Sequence, residues 1–203
     1  MATFTLIARE LALYSALTKA FSGTPVNVLL GDVKNSAHRF DCIVSPGNSF
    51  GLMDGGIDAV YAEMWPGIQE AVQREIRHYY ACEQPVGTCL IIPIPGIWDK
   101  FLAHAPTMRV PMGIENTDHV YMAMRAVLLA VRVRRNMDLR GALQARTIET
   151  VLCPGLGTGA GGMPPERAAR HMRMAWDNVR EYPAVVDWPY ADRVHAQLGV
   201  PRP

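Results

Sequence analysis

The chain has 203 residues, 49% apolar and 19% charged, a balance that suits a soluble globular core and excludes a disordered polar chain. Its formal charge of +1 excludes a strong field for non-specific capture of nucleic acid or an anionic membrane. No stretch holds the roughly 20 consecutive apolar residues that a bilayer span needs, and Arg9, Glu10 and Lys19 interrupt the N-terminal segment where a signal peptide has a clean apolar run.

Phe4–Ala8 reads as a first strand and Arg9–Phe21 as a helix, with Leu11, Leu13, Leu17 and Ala20 at helical spacing. Gly23, Thr24 and Pro25 end it. Val26–Leu30 and Asp41–Ser45 then read as strands buried on both faces. Ile57–Met64 and Pro66–Tyr80 are expected helices, the second opening on Pro66. Thr88–Ile92 and Phe101–Ala105 are short strands. Thr117–Asn136 is the longest helical pattern, with arginines near its end, as the helix dipole favours. Ile148–Cys153 is a further buried strand, followed by a helix from about Pro164 to Arg180. Alternating strands and helices predict a three-layer α/β/α sandwich around a mixed, largely parallel sheet. One domain is expected over residues 1–203, with its core at about 26–180. Residues 1–25 form an N-terminal strand–helix extension, and the proline-rich tail 183–203 lies over the surface. The four cysteines are scattered without a CxxC pair, which predicts reduced thiols in a cytoplasmic, intracellular protein and no metal site.

Three segments follow directly on apolar strands. They are Gly31-Asp32-Val33, the run from Val44 through Gly55-Gly56-Ile57-Asp58, and the run from Leu152 through Gly157-Thr158-Gly159-Ala160-Gly161-Gly162 to Pro164. In open α/β sheets ligands bind beyond the carboxyl ends of the strands. Glycines there bring backbone N–H groups close to an anion, and a helix starting just after the loop adds its positive end. Both glycine loops meet that description, and two such loops suit a diphosphate. The chain has no GxxxxGK[ST], and its Gly-rich loop follows the last strand rather than the first, so neither a P-loop nor a Rossmann fingerprint is present.

Taken in order, these segments resemble the macrodomain family. The first is similar to that family's Gly-Asp-Ile-Thr, the second to its strand ending in Asn before a Gly-Gly-(Val/Ile) loop, and the third to its second phosphate loop. Leu102-Ala103-His104-Ala105-Pro106 resembles its His-containing strand. The resemblance spans about Val26 to Arg180. It implies ADP-ribose or ADP-ribosylated molecules as partners, with no cofactor, no membrane and no sequence-specific nucleic acid, and it sets no oligomeric state. By the same resemblance, Asp32 accepts from the adenine amine, with the Val33 N–H beside the base. Gly55, Gly56 and Ile57 line the first phosphate loop. Gly157, Thr158, Gly159, Ala160, Gly161 and Gly162 wrap the diphosphate, and Asn48 contacts the distal ribose. Asp58 follows Asn48 at the separation seen in the branch that removes mono-ADP-ribose from proteins. Three activities fit the resemblance: mono-ADP-ribosyl hydrolysis with Asn48 and Asp58 as catalytic residues, a phosphatase acting on ADP-ribose 1″-phosphate, and binding without turnover.

This chain departs from the family pattern at several positions. Ser45-Pro46-Gly47-Asn48 replaces Asn-Ala-Ala-Asn, Asp54 replaces a glycine, and Gly161 and Met163 replace aromatics. Gly161 predicts an uncovered distal ribose. Plainer roles are also open: Asp32 as a turn cap, Asp58 as a helix-start carboxylate, His104 as a hydrogen-bonded core residue, His171 as a solvated one, and Trp188 and Tyr190 as packing residues.

Overall fold

A computed structural model describes residues 2–139 and 147–201. Six strands form one sheet: β1 (Thr3–Ala8), β2 (Asn27–Leu30), β3 (Cys42–Ser45), β4 (Leu90–Pro93), β5 (Phe101–His104) and β6 (Thr150–Pro154). Their order across the sheet is β2-β1-β6-β3-β5-β4, parallel except where β4 runs antiparallel to β5 at one edge.

The strands bury alternate residues on opposite faces. Phe4, Leu6, Cys42, Val44, Val151 and Cys153 pack on one side, with Leu17, Met124, Met172 and Trp176 from α1 (Leu11–Ala20), α5 (His119–Leu139) and α6 (Pro165–Arg180). Ile7, Ile43, Leu102 and Leu152 pack on the other, with Tyr61, Ile68, Val72 and Ile76 from α3 (Gly56–Met64) and α4 (Ile68–Tyr80). A strand apolar on both faces reads as a continuous hydrophobic run, which is why β3 and β6 are plain in the sequence. The expected α/β/α sandwich with a mixed, largely parallel sheet is the architecture found.

Four elements differ from expectation. Residues 1–25 were expected outside the core, but β1 lies inside the sheet, paired with β2 and with β6 from Thr3↔Thr150 to Ile7↔Pro154. β2 is an edge strand, paired among the described residues only with β1, and its Leu29 and Leu30 are exposed rather than buried on both faces. Helix α4 starts at Ile68, since Gly67 takes φ 86° and turns the chain after Trp65 and Pro66. The tail forms α7 (Trp188–Leu198), capped by Asp187 accepting from the Tyr190 N–H at 2.8 Å; residues 202 and 203 lie outside the described residues. His171 is buried rather than solvated, its Nε2 3.0 Å from the Leu198 carbonyl oxygen, so α7 docks on α6 through it. Among the described residues no helix is long and apolar enough to cross a membrane.

Candidate functional site

Five parallel strands end on the same side of the sheet, and a cleft of about 750 Å³ opens there. Asp32 and Val33 line it after β2, Asn48 after β3, and Gly157 to Gly161 after β6. Gly55 to Asp58, at the start of α3, complete that wall. The structure therefore brings together every candidate residue except Gly162. That glycine is exposed outside the cleft and donates back to the Gly159 carbonyl at 3.0 Å, closing the loop rather than lining it.

Both glycine loops bring backbone N–H groups to the wall of the cleft. The first intrahelical bond of α3 runs from the Ala59 N–H to the Gly55 carbonyl (3.2 Å), so the N–H groups of Gly56, Ile57 and Asp58 precede it at the positive end of the helix. In the second loop, the carbonyls of Gly157, Gly159 and Gly161 accept from Met163, Gly162 and Ile114 at 2.8–3.0 Å. This closure leaves the N–H groups of Thr158, Gly159, Ala160 and Gly161 without an acceptor among the described residues. Gly157 must be glycine for two reasons. Its φ is 70°, and a Cβ would stand 2.7 Å from Ile114 and 2.8 Å from Val120.

Asp32 caps the short helix α2 (Val33–Ser36), its Oδ1 accepting from the Lys34 N–H at 2.8 Å, and Arg9 Nε lies 3.7 Å from Oδ2. A carboxylate offers about four lone-pair sites, so this cap is compatible with receiving a ligand donor. Asn48 shapes its own loop. Its Oδ1 accepts from the N–H groups of Phe50 (3.1 Å) and Leu52 (3.3 Å), and its Nδ2 donates to the Leu52 carbonyl at 2.7 Å. One Nδ2 hydrogen remains for a partner.

Asp58 combines both readings made of it. It is an acidic residue in the first turn of α3, and it is also buried, with Oδ1 accepting from Ser45 Oγ at 2.7 Å. Burial pushes its pKa up from 3.8 to about 6, against the opposing pull of the Ser45 hydrogen bond. The folded state therefore holds this proton more tightly than the unfolded chain does. Ionised Asp58 costs stability that is absent below about pH 4 and fully expressed above about pH 6. Asp58→Asn keeps an acceptor for Ser45 and removes the charge. It is expected to unfold about 1–3 kcal/mol later than wild type at pH 7.5, with the gap closing near pH 4. Urea melts at the two pH values test this, and a gap independent of pH would reject a buried charge as its cause.

The N-terminal segment and the loop after β5 supply residues that the sequence reading did not assign. Arg9, Glu10 and Leu13 line the cleft from the first, and Thr107, Met108 and Pro111 from the second. The signal for Arg9 was present in its place directly after an apolar strand, where parallel sheets bind ligands. The space beside Gly161 is filled from elsewhere in the chain. Residues after β5 cover that glycine, with the Ile114 N–H bonded to its carbonyl at 2.8 Å and the Ile114 side chain packed where a Cβ would project. Met163 is buried in the core, and Trp188 is exposed and lies outside the cleft. Burial pushes the thiols of Cys42, Cys89 and Cys153 up, so none of these three is a ready nucleophile.

Comparison with known proteins agrees with this architecture. The model of the Macro domain family matches residues 44–172. An uncharacterised protein of Aquifex aeolicus is 34% identical over 135 residues, covering 65% of this chain and 70% of that protein. Another, from Aeropyrum pernix, is 30% identical over 154 residues, covering 75% of this chain and 71% of that protein. Among solved structures, the macrodomain of Mycobacterium tuberculosis DarG superposes with a TM-score of 0.55 at 20% identity, covering 73% of this chain and 88% of that one. A variant of the Oceanobacillus iheyensis macrodomain with ADPR gives 0.56 at 20% identity, covering 83% and 87%. The matched span runs from β3 into α6 and so contains both glycine loops of the cleft. With that span and these relatives, the chain belongs to the Macro domain family.

Proposed function

We propose that the protein binds ADP-ribose, or a molecule carrying it, and hydrolyses the bond at the anomeric carbon of the distal ribose. The observation that carries this reading is Asp58, a buried carboxylate whose pKa is raised to about 6, in the wall of a cleft that also presents two runs of N–H groups without an acceptor among the described residues. The two loops take the diphosphate, with Gly55, Gly56 and Ile57 on one side and Gly157 to Gly161 on the other. Asp32 accepts from the adenine amine beside the Val33 N–H. Asn48 offers its remaining Nδ2 hydrogen to the distal ribose. Asp58 takes the proton of the attacking water, as a base with a pKa near the working pH does best. The solved Oceanobacillus iheyensis macrodomain variant with ADPR supports the ligand class. A cytoplasmic setting, where the four free cysteines stay reduced, suits the same reading.

The deciding experiment incubates the protein with a mono-ADP-ribosylated protein and, separately, with ADP-ribose 1″-phosphate. Release of ADP-ribose from the first supports the proposal. Phosphate release from the second alone replaces it with the phosphatase reading, and binding without either product leaves a recognition module. Binding itself gives a further expectation. Calorimetry should find one ADP-ribose per chain, and Asp32→Ala should weaken it by ~1.5–3 kcal/mol, the range for a hydrogen bond to a charged group. The same substitution removes the α2 cap, worth about 0.5–2 kcal/mol of stability. Affinity is therefore measured well below the melting temperature, and full affinity there removes the adenine role of Asp32.

A further inference from the structure

His104, at the end of β5, is fully buried, and its Nδ1 lies 2.7 Å from Oε1 of Gln84, which is also fully buried. Gln84 Nε2 donates to the His104 carbonyl at 3.2 Å, which sets the amide so that Oε1 is the acceptor. The imidazole therefore carries its hydrogen on Nδ1 and presents a lone pair at Nε2. That Nε2 is buried without a hydrogen-bond partner among the described residues.

Gly47 shows what Nε2 faces. A Cβ on Gly47, which lines the cleft, would come to 2.5 Å from His104 Nε2 and 2.8 Å from Asp58 Oδ2. Both atoms lie on the side of this glycine where a Cβ would stand, and no hydrogen bond joins them. A lone pair on imidazole and a carboxylate oxygen are both acceptors. The small molecule that satisfies both at once is a water, which has two hydrogens to give.

We propose that His104 Nε2 and Asp58 Oδ2 hold the reacting water between them beside Gly47, each accepting one of its hydrogens, so that its lone pairs are left for the anomeric carbon. This rests on the hydrolase reading above. The water oxygen forms the new bond to the anomeric carbon, and the bond from that carbon to the leaving-group oxygen breaks with its electron pair on that oxygen. The proton lost by the water passes to Asp58. His104 stays neutral throughout, because burial holds its pKa down at about 4. Its part is orientation. The titratable groups facing Asp58 are His104 from β5 and Tyr61 on α3, whose hydroxyl is committed to the Val44 carbonyl at 3.0 Å. The acid limb of turnover thus belongs to Asp58, near pH 6.

Two substitutions separate orientation from packing. His104→Asn retains a polar group near Nδ1, facing Gln84, and leaves the place of Nε2 empty. His104→Gln reaches the place of Nε2 and gives up the Gln84 contact. On a mono-ADP-ribosylated protein, His104→Asn is expected to lower kcat by about 10–100-fold, as loosened positioning does. ADP-ribose affinity should stay within about threefold and the acid limb should not move. His104→Gln is expected to recover most of the rate. The reverse order, with His104→Gln slower than His104→Asn, means that His104 only supports the fold and overturns the proposal. Wild-type turnover with kcat unchanged in both variants overturns it alone. A wild type that binds ADP-ribose yet releases nothing overturns the hydrolase reading and this inference together. Should either variant fail to fold, a crystal structure of the wild-type protein decides. A water within hydrogen-bond distance of both atoms supports the assignment, and a dry contact or a protein donor on Nε2 overturns it.

Discussion

Asp58→Ala is expected to lower turnover of a mono-ADP-ribosylated protein by about 10²–10⁴-fold, the range for loss of a general base, while ADP-ribose affinity stays within about tenfold, ~1.4 kcal/mol. The contrast follows from where the carboxylate acts. In the proposed reading, binding rests on the backbone N–H groups of the two loops and on Asp32, all of which line the cleft apart from the Asp58 side chain. Proton removal needs an ionised carboxylate, and burial delays that ionisation to about pH 6. The wild-type rate should therefore fall as pH drops through 6, while affinity for ADP-ribose does not follow it. Rate profiles and calorimetry over pH 5–8 read both quantities. Removing a buried carboxylate also orphans Ser45 Oγ, so thermal melts must accompany the rates. If Asp58→Ala retains the wild-type rate in a folded protein, the carboxylate serves only the first turn of α3.

Gly161→Phe should cost at least about a hundredfold in ADP-ribose affinity, ~2.7 kcal/mol, and lower stability by the roughly 1–3 kcal/mol of an overpacked core. The φ of Gly161 is not positive, so backbone strain is not the reason. The reason is space. A Cβ there would lie 2.6 Å from the Gly157 carbonyl oxygen and 2.8 Å from Ile114 Cγ1. The Gly157 oxygen cannot retreat freely, because it accepts from the Met163 N–H at 3.0 Å and holds the loop closed. Any aromatic must therefore open the cradle, misplacing its N–H groups around the diphosphate. Gly161→Ala meets the same contact with less bulk and should show a smaller loss. A Phe variant that keeps its affinity and turns over faster would contradict this and favour an uncovered ribose. Loss of affinity would mean that the residues after β5 already occupy the space of the missing ring.

The parts of the fold legible in the sequence were those where one-dimensional pattern and three-dimensional environment coincide. Cys42 to Ser45 and Val151 to Pro154 are buried along their whole length, and each reads as an apolar run. The glycine loops were legible because backbone that approaches an anion needs residues without Cβ. β1 has the same apolar run, yet nothing in it states which strand it pairs with, so its place between β2 and β6 was not readable. Leu29 and Leu30 look like core residues and are exposed, because burial at an edge depends on a neighbour that does not exist there. Ile114 carries no motif. Its role at Gly161 arises from a contact across 47 positions of sequence. His104 and Asp58 were visible singly, but their approach over Gly47 depends on β3, β5 and α3 meeting in space.

The pairing of β1 with β6 also sets an order of events during synthesis. The ribosome makes Thr3 to Ile7 before their partners Thr150 to Pro154, with β2, β3, β4 and β5 made in between. Until then β3 has no neighbour on the side that β6 will fill, and the second glycine loop of the cleft does not yet exist. Contacts of such long sequence separation form slowly and leave strand edges open meanwhile. A nascent chain stopped between Asp58 and Thr150 would thus hold the first glycine loop, yet lack the second wall of the cleft. The cleft is complete only once β1 and β6 have met, which makes it a late product of folding.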